Sequence, residues 1–249
     1  MPEPAPSPLP SAPHVWVVLP TYNEADNLER LVEEVLERLP DSRQVLIVDD
    51  NSPDGTGEIA DRLAARHDDV DVLHRERKEG LGPAYIAGFR DALAGGAELI
   101  IEMDADFSHD PAYLPQLLRA IEPADLVIGS RYVPGGGVTE WGRVRRFISR
   151  GGSAYARTAL GVDVRDMTGG FKCFRREVLE AIDFEDVTSR GYAFQVEMTY
   201  RAIKAGFRVI EVPIVFRDRR EGSSKMTKGI VAEAIWRVPA MRTKRRRRP

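Results

Sequence analysis

The sequence predicts an α/β protein, a mostly parallel sheet with helices on both faces. Three observations predict it. Short apolar runs alternate with stretches of helical spacing through five rounds between residues 15 and 128. The strand candidates are apolar throughout rather than alternating, as strands buried on both faces must be. Polar, acid-rich turns follow those strands, at the end where open α/β sheets bind their ligands.

Each element has a local reason. The run 15–19 is the first strand. Leu28, Leu31, Val32, Val35, Leu36 and Leu39 then recur at helical spacing until Pro40 stops them. Residues 44–49 (Q-V-L-I-V-D) make a second buried strand, 51–57 a loop, 59–65 a helix and 70–73 a third strand. Gly80-Leu81-Gly82-Pro83 opens a helix that ends near Gly95-Gly96. Residues 99–103 form the fourth strand, 112–121 the next helix and 126–128 the core of a fifth strand. Beyond Gly135-Gly136-Gly137 the regularity weakens: 143–160 reads as helix, 171–174 as strand, 195–205 as helix, 208–212 as strand and 217–227 as polar loop. Around this 14–227 domain, residues 1–13 form a Pro-rich arm expected to be disordered. Residues 228–243 form an amphipathic helix with Ile230, Val231, Ala234, Ile235 and Val238 on one side, and 244–249 form a basic tail.

Bulk properties exclude several classes. A net charge of -3 argues against a general nucleic-acid binder, although 244–248 reads K-R-R-R-R. The single cysteine, Cys173, rules out an internal disulfide framework, fits a reducing compartment and reads as core. No apolar run reaches the ~18 residues that a membrane span needs. The arm lacks a basic start and an apolar core, so it does not read as a signal peptide.

The chemistry concentrates after the strands. Asp104 and Asp106 end the fourth strand, and residues i and i+2 of an extended segment point the same way. Two such carboxylates converge on one hard cation, or else make a solvated turn before Pro111; their place at the end of a buried strand favours the cation. Glu102 and Asp110 read as structural; His109 beside the acids could be a ligand or base, but a structural role is preferred. Asp49 and Asp50 end the second strand, where acids accept from a ribose or base or cap the loop. Gly80-x-Gly82 is no P-loop, since no G-K-[ST] follows; Arg75, Arg77 and Lys78 beside it could meet phosphate but read rather as a solvated basic loop. Arg131 after the fifth strand, with Arg145 and Ser149 one helical turn apart, makes an anion site or a set of surface arginines. Arg219 and Lys225 bracket a polar loop suited to closing over a diphosphate. His14, His67 and His74 have no cluster around them.

In order, P-T-Y-N-E (20–24), V-D-D-N-S-P-D-G-T (48–56), D-A-D-F-S-H (104–109), G-S-R-Y (129–132), T-G-G-F-K (168–172), G-Y-A-F-Q-V-E-M (191–198) and D-R-R-E-G-S-S-K (218–225) form a set. Together they resemble dolichol-phosphate (polyprenol-phosphate) mannose synthases, GT-A glycosyltransferases of family 2, in the form without transmembrane helices. The resemblance runs over about 15–235, nearly the whole chain. The first and third motifs alone indicate only a GT-A enzyme; the second and last are much more specific.

The resemblance implies that Pro20, Tyr22, Glu24, Val48 and Asp50 hold the nucleotide of GDP-mannose. It implies that Asp104, Ala105 and Asp106 hold its diphosphate with Mg2+ or Mn2+, and that Arg219 and Lys225 close on the donor phosphates. Arg131, Arg145 and Ser149 would bind the phosphate of a polyprenyl (dolichyl) phosphate. Asp104, Asp106 and Arg131 would then carry an inverting transfer of mannose. Some family members have Gln as a further metal ligand where this chain has Ser108, so Ser108 is a doubtful ligand. A lipid acceptor places the protein at the cytoplasmic face of a membrane, held through 229–241 and the 244–248 block or through a membrane-anchoring partner. Three other readings stay open: another nucleotide sugar such as UDP-glucose, a nucleotidyltransferase, and a non-catalytic nucleotide-sugar-binding subunit.

Overall fold

The computed structural model describes residues 13–187, 189, 191–217 and 237–242. The Pro-rich arm to residue 12, the loop with Arg219 and Lys225, and the basic tail lie outside the described residues.

The apolar runs become the sheet. Strands β1 (Val15–Thr21), β2 (Arg43–Asp49), β3 (Val70–His74), β4 (Leu99–Glu102) and β5 (Leu126–Ser130) alternate with helices α1 (Leu28–Arg38), α2 (Thr56–Arg66), α3 (Leu81–Ala94) and α4 (Leu114–Ala120). Helix α5 (Arg143–Leu160) follows a two-residue strand, β6 (Gly137–Val138). The chain continues through β7 (Lys172–Arg175), α6 (Arg176–Glu180), α7 (Gly191–Lys204), β8 (Val209–Pro213) and β9 (Val215–Phe216). The seven-stranded sheet has the order β3-β2-β1-β4-β7-β5-β8, and β6 pairs with β9 in a second, two-stranded sheet.

Two features depart from the sequence expectation. Strand β7 lies antiparallel between β4 and β5, in an otherwise parallel sheet. An apolar run shows burial on both faces but carries no direction, so the inversion is invisible in the pattern. The β6–β9 pair, residues 137–138 with 215–216, lies where no element was assigned; it is too short to show a period.

Side chains alternate across the sheet, so β1 divides its apolar residues between two cores. Val15, Val17 and Leu19 pack under α1, α2 and α4. Trp16 and Val18 pack with α3, α5 and α7 on the other face. Helix α3 crosses β1 and β2 so closely that a Cβ on Gly88 would stand 2.4 Å from Val18 Cγ1. Of the expected C-terminal helix, residues 237–242 are described and helical. Val238 and Met241 are buried in the same core as α5, so this turn packs on the domain.

Candidate active site

A cavity of about 360 Å3 opens over the carboxyl ends of the parallel strands. At one end it is lined by Pro20 near the end of β1, Tyr22 and Glu24 after it, Asp50 after β2, and Asp104, Ala105 and Asp106 after β4. Three of the turns that deliver these groups contain a non-glycine residue with left-handed backbone: Asn23 (φ 60°), Asn51 (φ 57°) and Phe107 (φ 59°). Asn tolerates that region; Phe does so at a cost of roughly 1–2 kcal/mol. Such strain collects where a turn must aim side chains.

The paired acids after β2 separate into two jobs. Asp49 Oδ1 accepts from Thr21 Oγ1 and Ser52 Oγ, which closes the loop. Asp50 lines the cavity and ion-pairs with Arg75. Burial pushes the Asp50 carboxyl above its ordinary range, against the pull of Arg75. Arg77 and Lys78 are exposed, as a solvated loop would have them, but the Arg75 side chain is 12% exposed between Asp50 and Glu79; Lys78 also lies 3.5 Å from the Tyr22 ring centroid and lines the cavity. Val48 contributes no side chain to the wall, because it is fully buried against α3.

Asp104 and Asp106 both line the cavity. Asp104 Oδ1 accepts from the Tyr85 hydroxyl at 2.9 Å. The Asp104 N–H donates to His109 Nδ1 at 3.0 Å. His109 is stacked on Phe171 and 2% exposed, so it braces the Asp104 turn, and it also lines the cavity. The Ser108 N–H donates to Asp106 Oδ1. Ser108 itself is 1% exposed and does not line the cavity, and its hydroxyl has no hydrogen-bond partner.

Among the described residues no group of three or more His, Cys, Asp or Glu is placed to cage a metal. Two carboxylate oxygen donors with open space before them fit Mg2+ or Mn2+, which complete their shell with water and substrate phosphate. Behind the turn, Glu102 and Lys172 form a fully buried ion pair at 3.2 Å. Burial pushes the Glu102 carboxyl up to about 7, with Lys172 pulling the other way. Asp110 accepts from the Ala112 N–H and starts the next turn. Both acids are therefore structural.

The other end of the cavity is lined by Arg131, Trp141, Arg145, Thr168 and Phe216. Arg131 grips Asp166 with two parallel bonds, Nε to Oδ2 at 2.8 Å and Nη2 to Oδ1 at 2.7 Å, and Nη2 also donates to Thr168. Its Nη1 makes none of these bonds. Burial alone would raise the Asp166 carboxyl, but the Arg131 charge and hydrogen bonds outweigh it and hold the group below its ordinary range. Arg145 lies one turn before Ser149 on α5. Ser149 accepts from the Tyr132 hydroxyl at 2.6 Å and does not line the cavity.

The cavity thus gathers Pro20, Tyr22, Glu24, Asp50, Asp104, Ala105, Asp106, Arg131 and Arg145 from the expected set, while Val48, Ser108 and Ser149 stand behind its wall. Arg219 and Lys225 fall outside the described residues. Sequence reasoning missed Lys78, Trp141, Asp166, Thr168 and Phe216. The available signals were weak: Asp166 precedes T-G-G-F-K by two residues, and Trp141 is a lone aromatic before an arginine-rich helix.

Comparison with known proteins supplies the family. Residues 16–183 match the model of glycosyl transferase family 2. The chain is 50% identical over 224 residues to the undecaprenyl-phosphate mannosyltransferase of Micrococcus luteus, covering 90% of this chain and 92% of that one. It is also 50% identical to the polyprenol monophosphomannose synthase of Mycolicibacterium smegmatis, covering 89% and 84%. Among solved structures it resembles glucosyl-3-phosphoglycerate synthase from Mycobacterium tuberculosis. The complex with phosphoglyceric acid gives a TM-score of 0.71 at 19% identity, covering 94% of this chain and 82% of that one. The complex with Mn2+, uridine diphosphate and glucosyl-3-phosphoglycerate gives 0.66 at 20% identity, covering 92% and 78%. At that identity the likeness carries the fold, a GT-A arrangement. The identity of one half, held across nine-tenths of the chain, carries more: this chain belongs to glycosyl transferase family 2, among the polyprenyl-phosphate mannosyltransferases.

Proposed function

We propose that the enzyme transfers mannose from GDP-mannose to a polyprenyl phosphate, with inversion at the anomeric carbon. The observation that carries the reading is the division of one cavity. Carboxylates stand at the end where a metal–diphosphate belongs, and arginines at the end where a second phosphate belongs. The names of the two half-identical relatives support mannose as the sugar and a polyprenyl phosphate as the acceptor.

The nucleotide lies against Pro20, Tyr22, Glu24 and Asp50, and Lys78 beside Tyr22 adds a cation at that wall. Asp104 and Asp106 hold Mg2+ or Mn2+, which supplies Lewis-acid neutralisation of the departing diphosphate. Ser108 acts through its N–H on Asp106. The acceptor phosphate is already anionic near neutral pH, so it needs positioning rather than a strong general base. Arg131, fixed by Asp166, presents Nη1 to it beside Arg145, while Ser149 braces Tyr132. Arg219 and Lys225 close on the donor phosphates.

A lipid acceptor requires contact with a membrane. No helix among the described residues is long and apolar enough to cross one. Helix α5 instead exposes Val144 (73%), Phe147 (79%), Ile148 (42%) and Tyr155 (38%). Arg143, Arg146 and Arg150 flank these residues on the same helix, a combination suited to an anionic lipid surface. This face joins the basic tail as the means of peripheral attachment at the cytoplasmic face.

The test is turnover with radiolabelled GDP-mannose, UDP-glucose and other nucleotide sugars, a polyprenyl phosphate, and Mg2+ or Mn2+. Labelled lipid with GDP released is the expected result. Preference for UDP-glucose, or release of pyrophosphate, overturns the reading. In parallel, Phe147→Ser with Val144→Ser should weaken binding to anionic liposomes at low salt. If the wild type binds no liposome, the attachment belongs to a membrane-anchoring partner.

A further inference from the structure

The indole of Trp141 stands between the two arginines of the acceptor end. Its ring centroid is 4.3 Å from the Arg145 guanidinium carbon and 5.8 Å from that of Arg131. Phe216 backs the ring edge-on at 5.3 Å and also faces Arg131 at 5.5 Å. Two guanidinium groups lining one cavity repel each other, and the negative faces of aromatic rings attract both.

Two unfavourable features persist around this ring. Glu140, immediately before it, has left-handed backbone at φ 64°. The buried Trp141 Nε1–H has no hydrogen-bond partner, although the residue is only 7% exposed. Hydrogen bonding therefore does not fix the ring. Its contacts with Phe216 and the arginines do, and strain kept at such a place points to function.

We infer that Trp141 is a positioning residue for the acceptor phosphate: it holds Arg131 and Arg145 in register by cation–π contact and offsets their repulsion while the site is empty. This rests on the reading that the two arginines bind that phosphate. Asp166 fixes one edge of Arg131 by two parallel bonds, and the indole lies nearer Arg145 than Arg131.

Three variants test it: Trp141→Leu, Trp141→Phe and Arg145→Gln. Each is measured for acceptor KM, donor KM and GDP affinity, and for equilibrium binding of polyprenyl phosphate in detergent, which does not depend on the donor sugar. Trp141→Leu should raise the acceptor KM roughly tenfold, the loss of one or two cation–π contacts. Donor KM and GDP affinity should stay within about twofold. Trp141→Phe, which keeps a weaker π face, should fall between Leu and wild type. The inference is overturned if Trp141→Leu leaves acceptor binding unchanged, if donor and acceptor constants move together, or if Phe does no better than Leu. If Arg145→Gln leaves acceptor binding unchanged, the acceptor-phosphate reading itself fails. If Arg145→Gln weakens it and Trp141→Leu does not, only the positioning role fails.

Discussion

The two ends of the cavity are built differently. At the carboxylate end most of the functional groups sit at or just past the end of their own strand: Pro20 to Glu24 at the end of β1, Asp50 after β2, Asp104 and Asp106 after β4. Parallel pairing in register, with Thr21 opposite Asp49, brings those turns together without help from elsewhere. At the arginine end the groups arrive from β5, the 141 loop, α5, the 166–168 loop and β9. They are held by a buried ion pair and an aromatic box. The first end inherits its geometry from the sheet, and the second makes its own. Substitutions at the second should therefore damage the fold as well as the site.

The largest expected effect follows from that difference. Asp166→Asn removes the partner of a buried guanidinium. Breaking such a pair costs about 3–5 kcal/mol because the remaining charge is uncompensated, a melting temperature lower by on the order of 10 °C for a domain of this size. GDP affinity should hold within about twofold. The pH dependence has a definite sign. The Asp166 carboxyl is held below its ordinary 3.8 in the fold, so its contribution is complete well above that pH. It is lost as pH falls through the lowered folded value, where the unfolded chain binds the extra proton. Wild-type stability should accordingly drop more steeply than that of Asp166→Asn below about pH 4. An equal loss of GDP affinity would mean that the two ends are not separable.

Asp104→Ala and Asp106→Ala come next. Each should lower turnover roughly 100- to 1000-fold, the scale of losing one preorganised electrostatic contact to developing charge. Melting temperatures should shift far less than in Asp166→Asn, because no buried cation is left unpaired. A rise in acceptor KM at unchanged kcat would assign these carboxylates to the wrong end.

How much could be read in advance divides along the same line. The five parallel strands and the α5 span were legible, because continuous apolar runs and helical spacing are local signals. Asp104 and Asp106 were legible because a strand end fixes both their position and their shared direction. Asp49 and Asp50 were not separable: which of two adjacent acids turns into the loop depends on Thr21, 28 residues away. Lys78 looked solvated because its contact with Tyr22 joins two loops. Asp166, Trp141 and Phe216 were missed for the same reason, since their meaning lies in contacts with Arg131 and with each other. The direction of β7 has no local signal.

That inverted strand ties the two ends together and gives the smallest expected effect. β7 pairs with β4, which carries Asp104, on one side and with β5, which leads to Arg131, on the other. Cys173 is central in it, opposite Ile101 and Val127, and fully buried. Burial pushes its thiol up to about 12, so it is neither accessible nor ionised at neutral pH. A maleimide should label it negligibly in the native protein over an hour and completely after denaturation, and GDP should change little. Rapid native labelling would show that β7 opens between β4 and β5. The carboxylate and arginine ends would then move relative to each other, and their spacing could not be a fixed property of the sheet.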